Sequence, residues 1–154
     1  MTTVSNGDAL QRLLDIEEIK KLKARYFRFH DTKKWDDFVK VFSSDVQIEI
    51  DGTVLTDAAE MVRAASAWVG DAETVHRGFM PEIEITGPDT ATGTWSMADY
   101  LVWPKKEGSL PQGMRGYGYY HEEYRKVEGE WVISRLKIQR LRVEFLEGGV
   151  PAVG

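Results

Sequence analysis

Along the chain the apolar positions change period three times, and each change marks a new element. From about Asp8 to about His30, Ile16, Ile19, Leu22, Tyr26 and Phe29 recur at steps of three and four. That spacing predicts one long helix with a single buried stripe. A short second helix is expected from about Lys34 to Phe42, carrying Trp35, Phe38, Val39 and Phe42. At "VQIEI", Val46 to Ile50, the period drops to two, the mark of a half-buried strand. Asp51 and Gly52 then ask for a type I′ turn and a short return over Thr53 to Leu55. Asp57 with Glu60 opens a third helix in capping-box fashion. It sets Ala58, Met61, Val62, Ala65, Trp68 and Val69 on one face and ends at Gly70.

From Glu73 onward the period of two persists. "EIEI" (Glu82 to Ile85) turns at Gly87 and Pro88; Ala91 to Trp103 is a long strand ended by "PKKEGSLPQG". Met114 to Val127 is another, turning at Glu128 and Gly129, and Trp131 to Phe145 is the last. The apolar phase of that last strand is Val132, Leu136, Ile138, then Leu141, Val143, Phe145. Its parity flips near Gln139 and Arg140, which predicts a bulge or sharp bend. Three helices and a hairpin followed by long antiparallel strands make an α+β fold, with helices on one face of a curved sheet and a pocket between them. The 154 residues suit a single domain over 1–154, with 147–154 expected as a mobile tail.

Composition narrows the function classes. Hydrophobic residues make up 42% and the net charge is −5, which fits a globular chain and argues against a nucleic-acid partner. Lys20, Lys21, Lys23, Arg25, Lys33 and Lys34 cluster locally and read as a solvated helix face. No apolar run approaches a membrane span, the start lacks the features of a secretory signal, and there is no cysteine. The expectation is a cytoplasmic protein without disulfides, membrane contact, metal or cofactor.

The three histidines, His30, His76 and His121, are the natural proton carriers near neutral pH. His76, in "ETVHRGFMPEIEI", reads either as an ordinary strand histidine or as a base; Pro81 makes a bulge or an edge there, so parity alone does not orient it. Tyr26 lies on the apolar stripe, as core or as a donor at its rim. Asp31 is five residues on, about 140° around an ideal helix, and can share a site with Tyr26 only if the helix ends first. Its competing reading is a cap for the next helix. On the penultimate strand Gly116, Gly118 and Tyr120 share a face that leaves room for a ligand, which points His121 away. On the strand before it, Trp95, Met97, Asp99 and Leu101 form an apolar face with one carboxylate. The spacing does not suggest three histidines converging on a metal.

Three stretches carry a resemblance. "IEEIKKLKARYFRFHDTKKWDDFVKVFSSDVQIEIDG", "ETVHRGFMPEIEI" and "HEEYRKVEGEWVISRLKIQRLRVEF" resemble the opening, middle and closing segments of the SnoaL-like branch of the nuclear transport factor 2-like superfamily. Within it the likeness is nearest to scytalone dehydratase, bile acid 7α-dehydratase and hexachlorocyclohexane dehydrochlorinase. The resemblance implies a cone-shaped α+β barrel, homo-oligomers (dimer or trimer) built on the outer sheet face, and an internal histidine–aspartate pair. Carried over, the pair is His76 and Asp31, with Tyr26 matching the dehydratases' helix tyrosine. Arg77 stands where many relatives have a second histidine, and Arg115 and Tyr117 where scytalone dehydratase has further ones.

The expected function is therefore a cofactor-independent lyase, dehydratase-like, or an isomerase acting on a small hydrophobic cyclic molecule. His76 would be the base, Asp31 its orienting carboxylate and Tyr26 the acid, while Trp95, Met97, Asp99 and Tyr120 would line the pocket. The alternative is a non-catalytic binding or assembly module of the same fold.

Overall fold

The computed structural model describes residues 5–152. Helix α1 (Asn6–Asp31) is capped by the Ser5 hydroxyl, which accepts from the Asp8 amide. The next segment is a single α-turn, α2 (Trp35–Phe38), continued by a 3-10 turn (Val39–Val41), so the expected second helix stops short and Phe42 already begins β1 (Phe42–Ile50). Asp51 and Gly52, at φ 50° and 82°, make the expected tight turn into β2 (Thr53–Leu55). Helix α3 (Ala58–Val69) starts at Asp57, whose carboxylate accepts from the Glu60 amide at 2.8 Å, and ends at Gly70 with φ 50°.

Four long strands follow: β3 (Glu73–Gly87), β4 (Thr90–Val102), β5 (Gly113–Val127) and β6 (Glu130–Phe145). They form one curved, unclosed sheet in the order β2-β1-β6-β5-β4-β3, antiparallel except for β1 beside β6. The helices cover its concave face, giving the cone-like α+β architecture. The expected flaw in β6 is real: Tyr117 pairs with Arg142 and Gly118 with Arg140, leaving Leu141 unpaired. A second irregularity leaves Ser134 unpaired between Ile133 and Arg135. Because each bulge flips parity, the inward residues are Trp131, Ile133, Leu136 and Arg140, while Leu141 and Phe145 are exposed.

The core joins the α1 stripe to α3 and the sheet through Ile19, Leu22, Tyr26, Phe38, Val46, Ile48, Trp95, Tyr120 and Ile133. A smaller cluster of Val69, Ala72, Leu101, Trp103 and Met114 closes one end. Of residues 147–154, expected as a mobile tail, 147–152 dock on this cluster and 153–154 lie outside the described residues. Gly148 donates to the Pro111 carbonyl, Gly113 to that of Gly149, and the Trp68 indole to that of Pro151. No helix among the described residues is long and apolar enough to cross a membrane.

Candidate functional site

Helix α1 runs through Asp31 and does not end before it. Asp31 therefore leaves the Tyr26 side of the helix and faces β3 instead. Its carboxylate accepts from His76 Nδ1 at 2.7 Å, from the His76 amide at 3.0 Å and from the Thr74 hydroxyl at 3.0 Å. It caps nothing, since α2 has no side-chain cap. Burial alone would raise its pKa, but the bonds from the His76 ring and amide outweigh that and hold it below the usual carboxylate range. An ionised Asp31 on Nδ1 fixes the proton there and leaves Nε2 as the basic nitrogen. His76 is buried, with 8% of its surface exposed, because β3 enters the sheet regularly with Thr74, His76 and Gly78 inward and Val75 and Arg77 outward. The break that Pro81 demands falls later, at Met80, which has φ 35° and is exposed.

His30 joins this pair. Its ring centroid lies 4.1 Å from that of His76, and Trp35 and Phe38 pack edge-on behind it. Burial, then the neighbouring His76, push its pKa down to about 3, so the ring is neutral. Its Nδ1 is buried with no hydrogen-bond partner. Sequence reasoning gave His30 no role, although its place four residues after Tyr26 put it on the same stripe. Ligand atoms of His30, Asp31 and His76 lie within 4.8 Å of one another. Asp31 is already bonded to His76 Nδ1 and its Oδ2 lies 3.4 Å from the Arg77 guanidinium, so a cation bound there would compete with both.

Tyr26 sits one turn earlier, packed on Phe38, Phe27, Phe42 and Tyr120, and is hydrogen-bonded to neither His76 nor Asp31. Burial raises its phenol far above the usual value. Trp95 donates to the Tyr124 hydroxyl at 2.8 Å and Met97 is buried core. Asp99 lies directly across from His76 in the β3–β4 register and is held by Arg140 through two bonds of 3.1 and 3.0 Å. Arg140 was not foreseen, and the parity flip in β6 was its only signal.

The glycines of β5 make room for the protein itself rather than for a ligand. A Cβ on Gly116 would lie 2.0 Å from Arg140 Nη1 and 2.2 Å from Asp99 Oδ1, and one on Gly118 1.9 Å from the Gln139 carbonyl oxygen. Tyr120 is wholly buried and its hydroxyl has no partner. His121 points outward, as expected, to Gln139 Oε1 at 2.8 Å. The expected hollow is closed among the described residues: His76, Tyr26 and Tyr120 are buried, a cleft of about 550 Å³ lies outside, between α1 and the β5–β6 turn, and His76, Asp31 and Tyr26 line neither it nor four further clefts.

The SnoaL-like domain profile matches residues 11–137. Over 140 residues the chain is 27% identical to Probable cyclase FGR4 of Gibberella zeae, covering 83% of this chain and 92% of that protein. Among solved structures, a hexachlorocyclohexane dehydrochlorinase (LinA) Type2 superposes with a TM-score of 0.76 at 19% identity, over 94% of this chain and 97% of that one. A structure named for scytalone dehydratase, from Novosphingobium aromaticivorans, gives 0.74 at 15%, over 86% and 87%. These likenesses establish the shared fold.

Proposed function

The chain belongs to the SnoaL-like domain family, and from that premise we propose that it is a cofactor-independent lyase, dehydratase-like, or an isomerase of small hydrophobic cyclic molecules. The observation that carries the reading is the 2.7 Å contact between His76 Nδ1 and Asp31. His76 Nε2 removes a proton from the carbon beside a carbonyl. The electron pair becomes a C=C bond, and the leaving hydroxyl departs as water with the proton that His76 took, while the Tyr26 phenol stays neutral and donates a hydrogen bond to the substrate oxygen. Asp31 keeps the tautomer and stabilises the imidazolium. Trp95, Met97, Asp99 and Tyr120 surround the substrate, and the closed interior opens to admit it. The similarity to proteins named cyclase, dehydrochlorinase and dehydratase supports this class, since eliminations of water or hydrogen chloride both begin with a base.

The test is a screen of cyclic β-hydroxy ketones followed by NMR, with α-proton exchange in D₂O as the sensitive readout. His76→Ala should lose both exchange and turnover while remaining folded, with a lowered melting temperature; unchanged rates would remove the mechanism. The closed interior favours a second reading, a non-catalytic module, and saturable binding without exchange would support it. Val75, Phe79, Tyr117 and Tyr119 are exposed on the outer sheet face and make it the surface for self-association into a dimer or trimer, which light scattering of the purified chain measures.

A further inference from the structure

Lys23 occupies a position on α1 that an apolar residue could fill, and it has no exposed surface. Its ammonium donates to Glu122 of β5, which also accepts from the Tyr124 hydroxyl; Tyr124 in turn accepts from the Trp95 indole at 2.8 Å. Nζ lies 3.7 Å from the Tyr26 ring centroid and 3.7 Å from that of Tyr120, so one cation backs two phenol faces. A buried ion pair is weak evidence for stability, because well-packed apolar replacements do as well or better. What this pair supplies is position. A cation on a ring face draws on the quadrupole of the ring and makes its hydroxyl a stronger donor. The Tyr120 hydroxyl, buried and unpartnered, has that donor to spare.

We propose that Lys23 is a positioning residue that polarises Tyr26 and Tyr120 into a paired donor for the substrate oxygen that becomes negatively charged. The inference rests on the proton-removal reading above and adds what receives the charge when the proton leaves. Other charged and titratable groups bear on the pair. Glu122 of β5 and Asp99 of β4 raise both phenols and Asp31 raises Tyr26, so the Lys23 cation works against them, while Arg140 of β6 lowers Tyr120. Burial pushes Lys23 down to about 8, so it carries its charge at neutral pH.

The probe is 4-nitrophenol, an oxyanion mimic whose absorbance distinguishes phenol from phenolate. The wild-type protein should bind it with its ionisation shifted to lower pH. Glu122→Gln alone, which leaves the cation without its carboxylate, should move the bound ionisation further down, and Lys23→Met/Glu122→Gln should move it up from there by about one unit, a ~10-fold loss for the phenolate form. Tyr120→Phe should lose a similar amount relative to the wild type and remain folded, since it deletes only an unpartnered hydroxyl. The same bound ionisation in the single and double variants, an unchanged one in Tyr120→Phe, or no binding by the wild type, overturns the proposal. His76→Ala separates it from the parent reading. The shift should survive there while exchange and turnover vanish; turnover persisting in that variant sinks the base, and the nitrophenol result still decides Lys23.

Discussion

Replacing His30 by phenylalanine should remove a specific part of the protein's acid sensitivity. In the folded chain burial, then His76, hold the His30 pKa at about 3, against 6.5 for the ordinary group. A histidine with a depressed folded pKa binds its proton mainly in the unfolded chain, so stability falls as the pH drops below 6.5 and stops falling near 3. Each unit in that window is worth about 1.4 kcal/mol. Between pH 7.5 and pH 5 the wild type should therefore lose about 2 kcal/mol through this one side chain. The amount at pH 5 is set by the unfolded value alone, because the folded value lies far below. That loss corresponds to roughly 4–8 °C in Tm for a chain of this size. Phenylalanine keeps the ring against Trp35, Phe38 and His76 and deletes the unpartnered Nδ1, so the variant should be at least as stable at pH 7.5. Urea unfolding at both pH values measures the difference. His76 faces His30 directly, so the comparison is repeated in a His76→Gln background, where the gap should persist. Equal acid losses with and without His30 would refute the reasoning.

Asp31→Asn should cost much of the rate by presenting the wrong partner to Nδ1; the accompanying melt separates that from instability, since Asp31 also holds Thr74 and the β3 backbone. Gly116→Ala should destabilise by about 1–3 kcal/mol, read by urea unfolding, because its Cβ must displace the Arg140–Asp99 pair. An unaltered midpoint would mean that the pair moves aside freely.

The elements were legible where one period ran unbroken: the α1 stripe, the Asp51–Gly52 turn, the α3 face and the alternation of β4 and β5 all stand. So was the bulge near Arg140, because a parity flip within one strand has few other causes. What the pattern hid was charge placed on the apolar side. Lys23 reads as part of a basic helix face, yet it is buried with Glu122. Asp15 and His30 lie on the same buried stripe, where the spacing marks only apolar positions. Asp31 and His76 were identified by likeness and not by spacing, since 45 residues separate them and parity around Pro81 was ambiguous. The glycines of β5 were read as open space because a missing Cβ gives no hint of which neighbour fills it.

The buried charges on α1 explain how a closed interior can still hold a site in register. Asp15 accepts from the Trp131 indole at 2.9 Å and from Lys126 at 3.0 Å; Lys23 pairs with Glu122, and Asp31 with His76. These anchors lie at the start, middle and end of a helix stretch about 24 Å long, and they reach three strands, β6, β5 and β3. Apolar packing alone tolerates sliding by a turn, because leucine and isoleucine fit many grooves. A slip of one turn, about 5.4 Å, would strand every one of these charges away from its partner. The helix can therefore dock in one rotation and one register only. That constraint aims Asp31 at the Nδ1 of His76 from a helix end, where a chain held by grease alone would fray.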